Sequence, residues 1–382
     1  MYKNISITWT GDITSISGSA QHARRMLEPL IEGGAHVKLE PRKPSAPEVK
    51  LSSWWISSIE KLTQSAPGMV CINHGHPGQM RKNEVGGPTV LFTHWDTYKI
   101  PIQWEKPMAE YDEIWTPTRS MSASIQEVTG TPAKVLPFPL QDQDFSCSPV
   151  AEIDGIPPET FVFGAVGTWN NRRNFTDVIT SYIGTFSSRE NVALVIKTLA
   201  VNAFDPNSRA SLLRVVATIK KGFNKQDIPK IVIIQDPLED SAMDSVINRF
   251  NCFISASRCD NKNIAMMKTM AKGKPVIVPM LHANIDIINS MNIEKFKDYI
   301  YPIAHSAMPV MQMGNYYTAN DFWANINLEQ LMISMKKVYF NASDPGFGYS
   351  KHLIAAIRKN NSAYLLPDLI KDIQPSAIKS LV

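Results

Sequence analysis

The sequence is poor in cysteine, in long apolar runs and in excess charge of either sign, and each shortage closes off a class of protein. Four cysteines, Cys71, Cys147, Cys252 and Cys259, occur in 382 residues without a C-x-x-C spacing, so neither a zinc ribbon nor a disulfide framework is indicated. Two of them sit in apolar strand-like runs, where a buried thiol stays reduced, and all four are expected reduced. No apolar stretch reaches the length of a signal-peptide core or a membrane span. The chain is therefore expected to be cytoplasmic, with no integral membrane segment. With 39 basic and 35 acidic residues the formal charge is +4, too mild for a nucleic-acid-coating protein or a polybasic anchor. An anionic small ligand suffices to explain it. No internal repeat is visible.

What is present is a globular composition, 44% hydrophobic and 19% charged, at a length that suits two domains. The start reads as strand (Ile5 to Trp9), polar turn (Gly11 to Gly18), a helix with apolar residues at Ala20, Ala23, Leu27, Leu30 and Ile31, and a second strand from His36. Pro29 should kink that helix or open its last turn. Gly68 to Ile72, Thr89 to Thr93 and Glu113 to Thr116 are short apolar runs that suit buried parallel strands. Ser52 to Thr63, with Trp54 and Trp55, and Ser120 to Val128 read as helices, and Lys134 to Leu136 as a strand. Pro139 to Glu159 is polar and proline-rich, as a domain crossing should be, and the boundary is placed at residue 149. The second half alternates strands at Phe161 to Val166, Val192 to Ile196, Ile231 to Ile234, Cys252 to Ser255 and Val276 to Val278 with helices, which implies a second parallel sheet. Leu328 to Val338 and Lys351 to Arg358 have helical spacing, a tail that can pack back over the crossing.

The densest segment runs from Cys252 to Pro279. A strand stops, the loop Arg258-Cys259-Asp260-Asn261-Lys262-Asn263 follows, and a helix opens at Ile264. A loop leaving the carboxyl end of a parallel strand into a helix start is where doubly wound folds bind ligands. The exposed N–H groups there suit a phosphate. Arg172 and Arg173 also stand at a helix start, an unfavourable place for cations unless an anion joins them. His74, Gly75 and His76 form another strand-end loop, but no partners at metal-ligand spacing accompany them, so no metal is assigned. Asp142-Gln143-Asp144 has the form of a metal-holding acidic motif, and its place in the crossing segment makes it read as coincidence. The basic run Lys220 to Lys225 reads as a solvated helix end.

Several stretches resemble the family 4 glycosyltransferases. Thr269-Met270-Ala271-Lys272-Gly273-Lys274-Pro275-Val276-Ile277 resembles the close of that family's signature, which begins with an acidic residue, here Asp260. Gly167-Thr168-Trp169-Asn170-Asn171-Arg172-Arg173-Asn174 resembles its glycine turn and basic residue. Leu194-Val195-Ile196-Lys197 resembles its next strand, and Tyr111-Asp112-Glu113-Ile114-Trp115-Thr116-Pro117-Thr118 the entry to the last helix of its first domain. Trp323-Ala324 and Lys336-Lys337-Val338-Tyr339 fit the tail, so the resemblance extends along nearly the whole chain.

The resemblance implies a GT-B fold of two Rossmann-like α/β domains with parallel sheets facing a central cleft. The expected division is an acceptor domain over 1–149, a donor-nucleotide domain over 150–348 and a helical tail over 349–382 that crosses back. It implies transfer of a sugar from a nucleotide donor, such as a UDP- or GDP-sugar, with retention of configuration and without a metal or other cofactor. Arg173 and Lys197 would hold the departing diphosphate, and Asp260 the donor-sugar hydroxyls. Gly18, Gly167, Asn263 and Ile264 would line the donor, and His94 would face the donor sugar. His74, His76 and Asp96 would lie on the acceptor side. Lys268 departs from the pattern: it stands where the family carries a glutamate that holds the ribose, and lysine cannot accept a hydrogen bond. An extra phosphate contact from Lys268 is one reading and a decayed site the other. Thr168, and Lys262 with Asn263, also replace the family's usual residues. The acceptor, whether glycan, lipid-linked saccharide, small molecule or modified nucleic acid, is not legible. A transferase acting on modified DNA bases, a non-catalytic relative that binds nucleotide or a partner, and a sugar-nucleotide epimerase stand as alternatives.

Overall fold

The structure is a computed structural model of the chain and describes residues 1–44, 46–146, 149–199, 206–310, 317–318, 320–344, 347–361 and 365–380. These fall into two compact units. Unit 1 comprises Met1–Gln141, Tyr317 and the described residues of Asn361–Val382, and unit 2 the described residues of Asp142–Met313 and Thr318–Asn360. Cys147 lies outside the described residues. Cys71, Cys252 and Cys259 are buried free thiols.

Unit 1 alternates β1 (Ser6–Gly11), α1 (Gly18–Glu32), β2 (His36–Pro41), α2 (Ser53–Thr63), β3 (Val70–His74), β4 (Thr89–Phe92), α3 (Glu105–Met108), β5 (Glu113–Thr116), α4 (Arg119–Thr129) and β6 (Ala133–Val135). The sheet order is β2-β1-β3-β4-β5-β6, every pair parallel. Every residue of β3 and β4 is buried, as a sheet covered on both faces requires. Ser17 caps α1 by accepting from the Ala20 N–H at 3.0 Å. The helix continues through Pro29 to Glu32 and stops at Gly33. Strand β3 starts two residues later than the apolar run suggests. Gly68 lies across β1 so tightly that a Cβ there would stand 2.1 Å from the Ile7 carbonyl carbon.

Unit 2 runs β7 (Phe161–Thr168), α5 (Phe175–Thr185), β8 (Val192–Leu199), α6 (Pro206–Gly222), β9 (Lys230–Ile234), α7 (Asp240–Arg249), β10 (Cys252–Ile254), α8 (Ile264–Ala271), β11 (Val276–Pro279), α9 (Ala283–Asn289), β12 (Ile300–Ile303), β13 (His305–Pro309), β14 (Phe322–Ile326), α10 (Leu328–Asn341) and α11 (Lys351–Lys359). Its parallel sheet is ordered β12-β11-β10-β7-β8-β9, with β13 and β14 as a separate antiparallel pair. Phe163, Tyr182 and Phe186 stack within its core. Unit 2 opens with a short 3₁₀ turn, Asp142–Phe145, where sequence patterning shows only an irregular crossing. The last helix, α12 (Leu365–Ser380), sets Leu366, Ile370 and Ile373 into the core of unit 1. Among the described residues no helix is long and apolar enough to cross a membrane.

Both sheets reverse their direction of growth once. In unit 1 the chain builds β1 to β2 on one side and then β3 outward on the other; in unit 2 it builds β7, β8, β9 and then β10, β11, β12. A reversal opens a crevice past the carboxyl ends of the two central strands. It lies between β1 and β3 in unit 1 and between β7 and β10 in unit 2.

Gly68→Ala tests the packing of unit 1. Overpacking of this kind costs about 1–3 kcal/mol, so its melting temperature should fall by several degrees. Gly222→Ala, whose Cβ would meet nothing within 4 Å, should leave the melting temperature unchanged or raise it.

Candidate functional site

In unit 2 the loop after β7 and the loop after β10 meet at the reversal. Each ends in an asparagine in the left-handed region, Asn174 at φ 55° and ψ 43° and Asn263 at φ 40° and ψ 52°. Asparagine occupies this region at lower cost than other side chains with a Cβ. Each precedes a helix that its own side chain does not cap, and each donates from its amide nitrogen across the loops. Asn174 donates to the Ala256 carbonyl at 3.1 Å and Asn263 to Asn284 Oδ1 at 2.7 Å. The first turns of α5 and α8 thus keep N–H groups without intrahelical partners, beside the positive ends of two dipoles.

Arg173 joins the two loops by donating from Nη1 to Asp260 Oδ2. Its stem runs over Gly167, where a Cβ would come within 2.8 Å of Arg173 Cδ. Any larger residue at 167 displaces the arginine. The guanidinium itself stays partly exposed, its side chain 22% accessible. Asp260 is buried and accepts from the Asn263 N–H at 3.0 Å and the Lys262 N–H at 3.3 Å. Burial pushes its carboxyl up, but the Arg173 and Arg172 cations and these two N–H bonds outweigh it and hold the pKa below the usual value. Asp260 is therefore an ionised carboxylate. Arg172 donates to the Cys259 carbonyl at 2.9 Å.

Lys197 lies near the carboxyl end of β8, in register with Val166 of β7. Its side chain is buried, its Nζ is 3.4 Å from the Thr198 carbonyl, and no carboxylate lies within 4 Å among the described residues. Burial lowers its pKa to about 8, opposed weakly by Asp236. Gly167, Arg173, Lys197, Asp260, Asn263 and Ile264 thus gather at one end of one sheet. The Asn263 N–H expected to face a phosphate is already given to Asp260; Ile264, at the first helical position of α8, retains an N–H with no intrahelical acceptor.

Lys268 does not join them. It is 1% exposed, and its ammonium lies 2.6 Å from Asp244 Oδ1 and 3.6 Å from Asp144 Oδ1. The acidic pair at 142 and 144 that looked like coincidence supplies one of its partners.

The remaining expected residues belong to unit 1. Gly18 opens α1 behind a loop that is organised, not loose: Asp12 accepts from the Thr14 and Ser15 N–H groups at 3.2 and 3.1 Å, and Arg24 donates to the Ile13 and Ser15 carbonyls. The His74 ring is turned into the core, stacked on Phe92 at 4.8 Å and edge-on to Trp9 and His22, so its side chain is a packing element. His76 accepts at Nδ1 from the Gly78 N–H at 3.0 Å and packs on Trp104, burial lowering its pKa. His94 and Asp96 are half-buried just past β4, flanking Trp95, which packs against Trp104 and Tyr317. Among the described residues no three His, Cys, Asp or Glu side chains are grouped to hold a metal.

Sequence reasoning missed two organising residues. Arg42, half-buried past β2, donates to Thr10 Oγ1 at 2.9 Å and Asn73 Oδ1 at 3.0 Å. Arg258 donates from Nη2 to Asn174 Oδ1 at 3.1 Å and from Nη1 to the Ala324 carbonyl of β14 at 3.3 Å, while its own carbonyl accepts from the Ala324 N–H at 2.9 Å. A basic residue just past a strand end is the signal available in the sequence for both.

No family model matches the chain, and no curated protein matches it. Solved structures do. The chain is similar to a glycosyltransferase from Rickettsia africae ESF-5, with a TM-score of 0.63 and 11% identity over 98% of this chain and 99% of that one. It is similar to the sucrose-phosphate synthase of Thermosynechococcus elongatus, with a TM-score of 0.65 and 12% identity over 97% and 100%. It is also similar to a UDP-forming α,α-trehalose-phosphate synthase from Burkholderia xenovorans, with a TM-score of 0.63 and 12% identity over 98% and 99%. At such identities the likeness is one of fold. Two six-stranded parallel sheets with flanking helices give the chain the GT-B architecture.

Lys197 yields a test with a definite sign. With a folded pKa of about 8, below its ordinary 10.5, the folded chain holds fewer protons than the unfolded one between these values. Its burial therefore costs stability at neutral pH, and the cost fades as pH rises through 8 toward 10.5. Lys197→Met should raise the melting temperature at pH 7 while weakening binding of pyrophosphate. In the unsubstituted protein pyrophosphate affinity, measured calorimetrically, should fall as pH rises through about 8, and Lys197→Arg should flatten that decline.

Proposed function

We propose that the chain is a glycosyltransferase whose unit 2 binds a nucleotide-sugar donor and whose unit 1 supplies the acceptor side. The observation that carries this reading is the Arg173–Asp260 pair seated over Gly167 at the reversal of the second sheet, with Lys197, which has no carboxylate partner among the described residues, one strand away. Transfer of a sugar from a nucleoside diphosphate develops negative charge on the departing phosphates. Fixed cations in a site that excludes water stabilise that charge. One Arg173 N–H is engaged by Asp260, and a guanidinium has five, so the others remain for the diphosphate together with Lys197 and the first turn of α8. Asp260, held ionised, is suited to accept from donor-sugar hydroxyls.

The neighbours named as sucrose-phosphate and UDP-forming trehalose-phosphate synthases support a hexosyl donor such as a UDP- or GDP-sugar. The family resemblance supports a retaining, metal-independent transfer in which the departing diphosphate helps deprotonate the acceptor on the same face. Past β4 of unit 1, His94 is the candidate that faces the donor sugar and Asp96 the candidate on the acceptor side. A second reading, nucleotide binding without transfer, is favoured by one observation: α8 carries no carboxylate, and Lys268 is committed to buried aspartates.

A panel of UDP-, GDP- and ADP-sugars offered to the pure protein separates these readings. Turnover of one donor, with a fall in kcat/KM of about 10²–10³ for Arg173→Ala, is the result expected. Tight donor binding without hydrolysis or transfer would select the second reading, and failure to bind any donor would end both.

A further inference from the structure

Helix α8 carries the donor-facing loop at its N-terminus, yet its own side chains define its position loosely. Ala265, Met266, Met267, Met270 and Ala271 are its buried apolar residues. Three of the five are methionines, which adapt to many packings and specify none. Polar contacts therefore bear most of the placement. Lys268, in the middle of the helix, spans Asp244 of α7 and Asp144 of the crossing turn. One turn further on, Lys272 donates to the Ser146 carbonyl at 3.1 Å and lies 3.5 Å from the Asp144 carbonyl.

We infer that Lys268 is a positioning residue for the donor loop: bound to Asp244 and Asp144, it fixes α8 and so sets where the Asp260–Ile264 segment meets a nucleotide diphosphate. Stability alone gives no reason for the arrangement, because a buried ion pair is often matched or bettered by apolar residues of similar volume. What the pair supplies is a single geometry. Asn263 lies five residues before Lys268, about 7.5 Å along the axis at 1.5 Å per residue. A slide or tilt at Lys268 therefore moves the first turn of α8 and the N–H groups that hold Asp260. The inference rests on the nucleotide-binding reading above.

The test is a thermodynamic cycle between positions 268 and 244, with binding of UDP and of GDP read by calorimetry. Each variant is first shown by circular dichroism to be folded at the assay temperature. Lys268→Met and Asp244→Asn should each weaken the nucleotide by ~10-fold or more, as a small misplacement of a binding group does. The double variant should be no weaker than either single one, and Lys268→Arg should retain most of the affinity. If Asp244→Asn binds as tightly as the unsubstituted protein, or more tightly, while Lys268→Met loses binding, the lysine reaches the phosphates itself and the inference is overturned. It is equally overturned if all folded variants bind alike. Should Lys268→Met fail to fold, Asp144→Asn and Asp244→Asn keep the test open, and unchanged affinity in both contradicts it. If the unsubstituted protein binds none of UDP, GDP and ADP, the nucleotide-binding reading falls and this inference falls with it; loss confined to the variants leaves that reading in place.

Discussion

The bond between Arg173 and Asp260 ties together two loops that are 87 positions apart in the chain and adjacent only because the second sheet reverses between β7 and β10. Much around it follows from making that bond inside the protein. A buried carboxylate deprived of its cation costs about 3–5 kcal/mol, so Asp260 also takes two backbone N–H groups and the field of Arg172. The arginine stem needs Gly167 beneath it. The backbone must turn sharply into two helices, and left-handed asparagines at 174 and 263 provide the turns. Their side-chain nitrogens donate to Ala256 and Asn284, and neither side chain caps the helix that follows it.

The charge balance that results is uneven in a useful way. Around the reversal, among the described residues, stand Arg172, Arg173, Arg258, Lys197 and two helix starts, against the carboxylates Asp260 and Asp177. Lys197 shows the imbalance most plainly: a lysine without a carboxylate partner among the described residues is destabilising where it lies, and an arriving anion would relieve the cost. Lys268 shows the opposite arrangement eight residues from Asp260, where two aspartates flank one buried ammonium. The same helix thus presents open N–H groups at its start and a lysine held by carboxylates in its middle.

Much of the fold is legible in the sequence because parallel strands covered on both faces must be continuous apolar runs. β4, β7, β8, β9, β10 and β11 declare themselves this way, while β1 and β5 show through their β-branched and aromatic residues. β3 shifts by two residues because Gly68 is needed for close approach to Ile7, not for pairing. β12 to β14 escape notice: β12 contains Pro302, which an edge strand tolerates, and β13 and β14 form a half-exposed antiparallel pair with no sustained apolar run. At the site, family resemblance reaches Gly167, Arg173, Lys197 and Asp260, which no spacing rule would have joined. It locates Lys268 but says nothing of where its side chain points. The direction depends on Asp144, which belongs to another part of the chain and resembled a chance motif, and on Asp244, an unremarked helix position. Likewise His74 stands at a strand end, as a site residue should, but its ring fills a gap among Trp9, His22 and Phe92.

The claim on which the rest depends is that the reversal of the second sheet receives the nucleotide diphosphate. Amide hydrogen exchange, measured with and without a saturating nucleotide sugar, tests it most directly. The account predicts added protection concentrated in Gly167–Asn174 and Ser255–Met267, with Arg173→Ala abolishing it. Protection confined to other segments of unit 2, or the same protection in the Arg173→Ala protein, would contradict it.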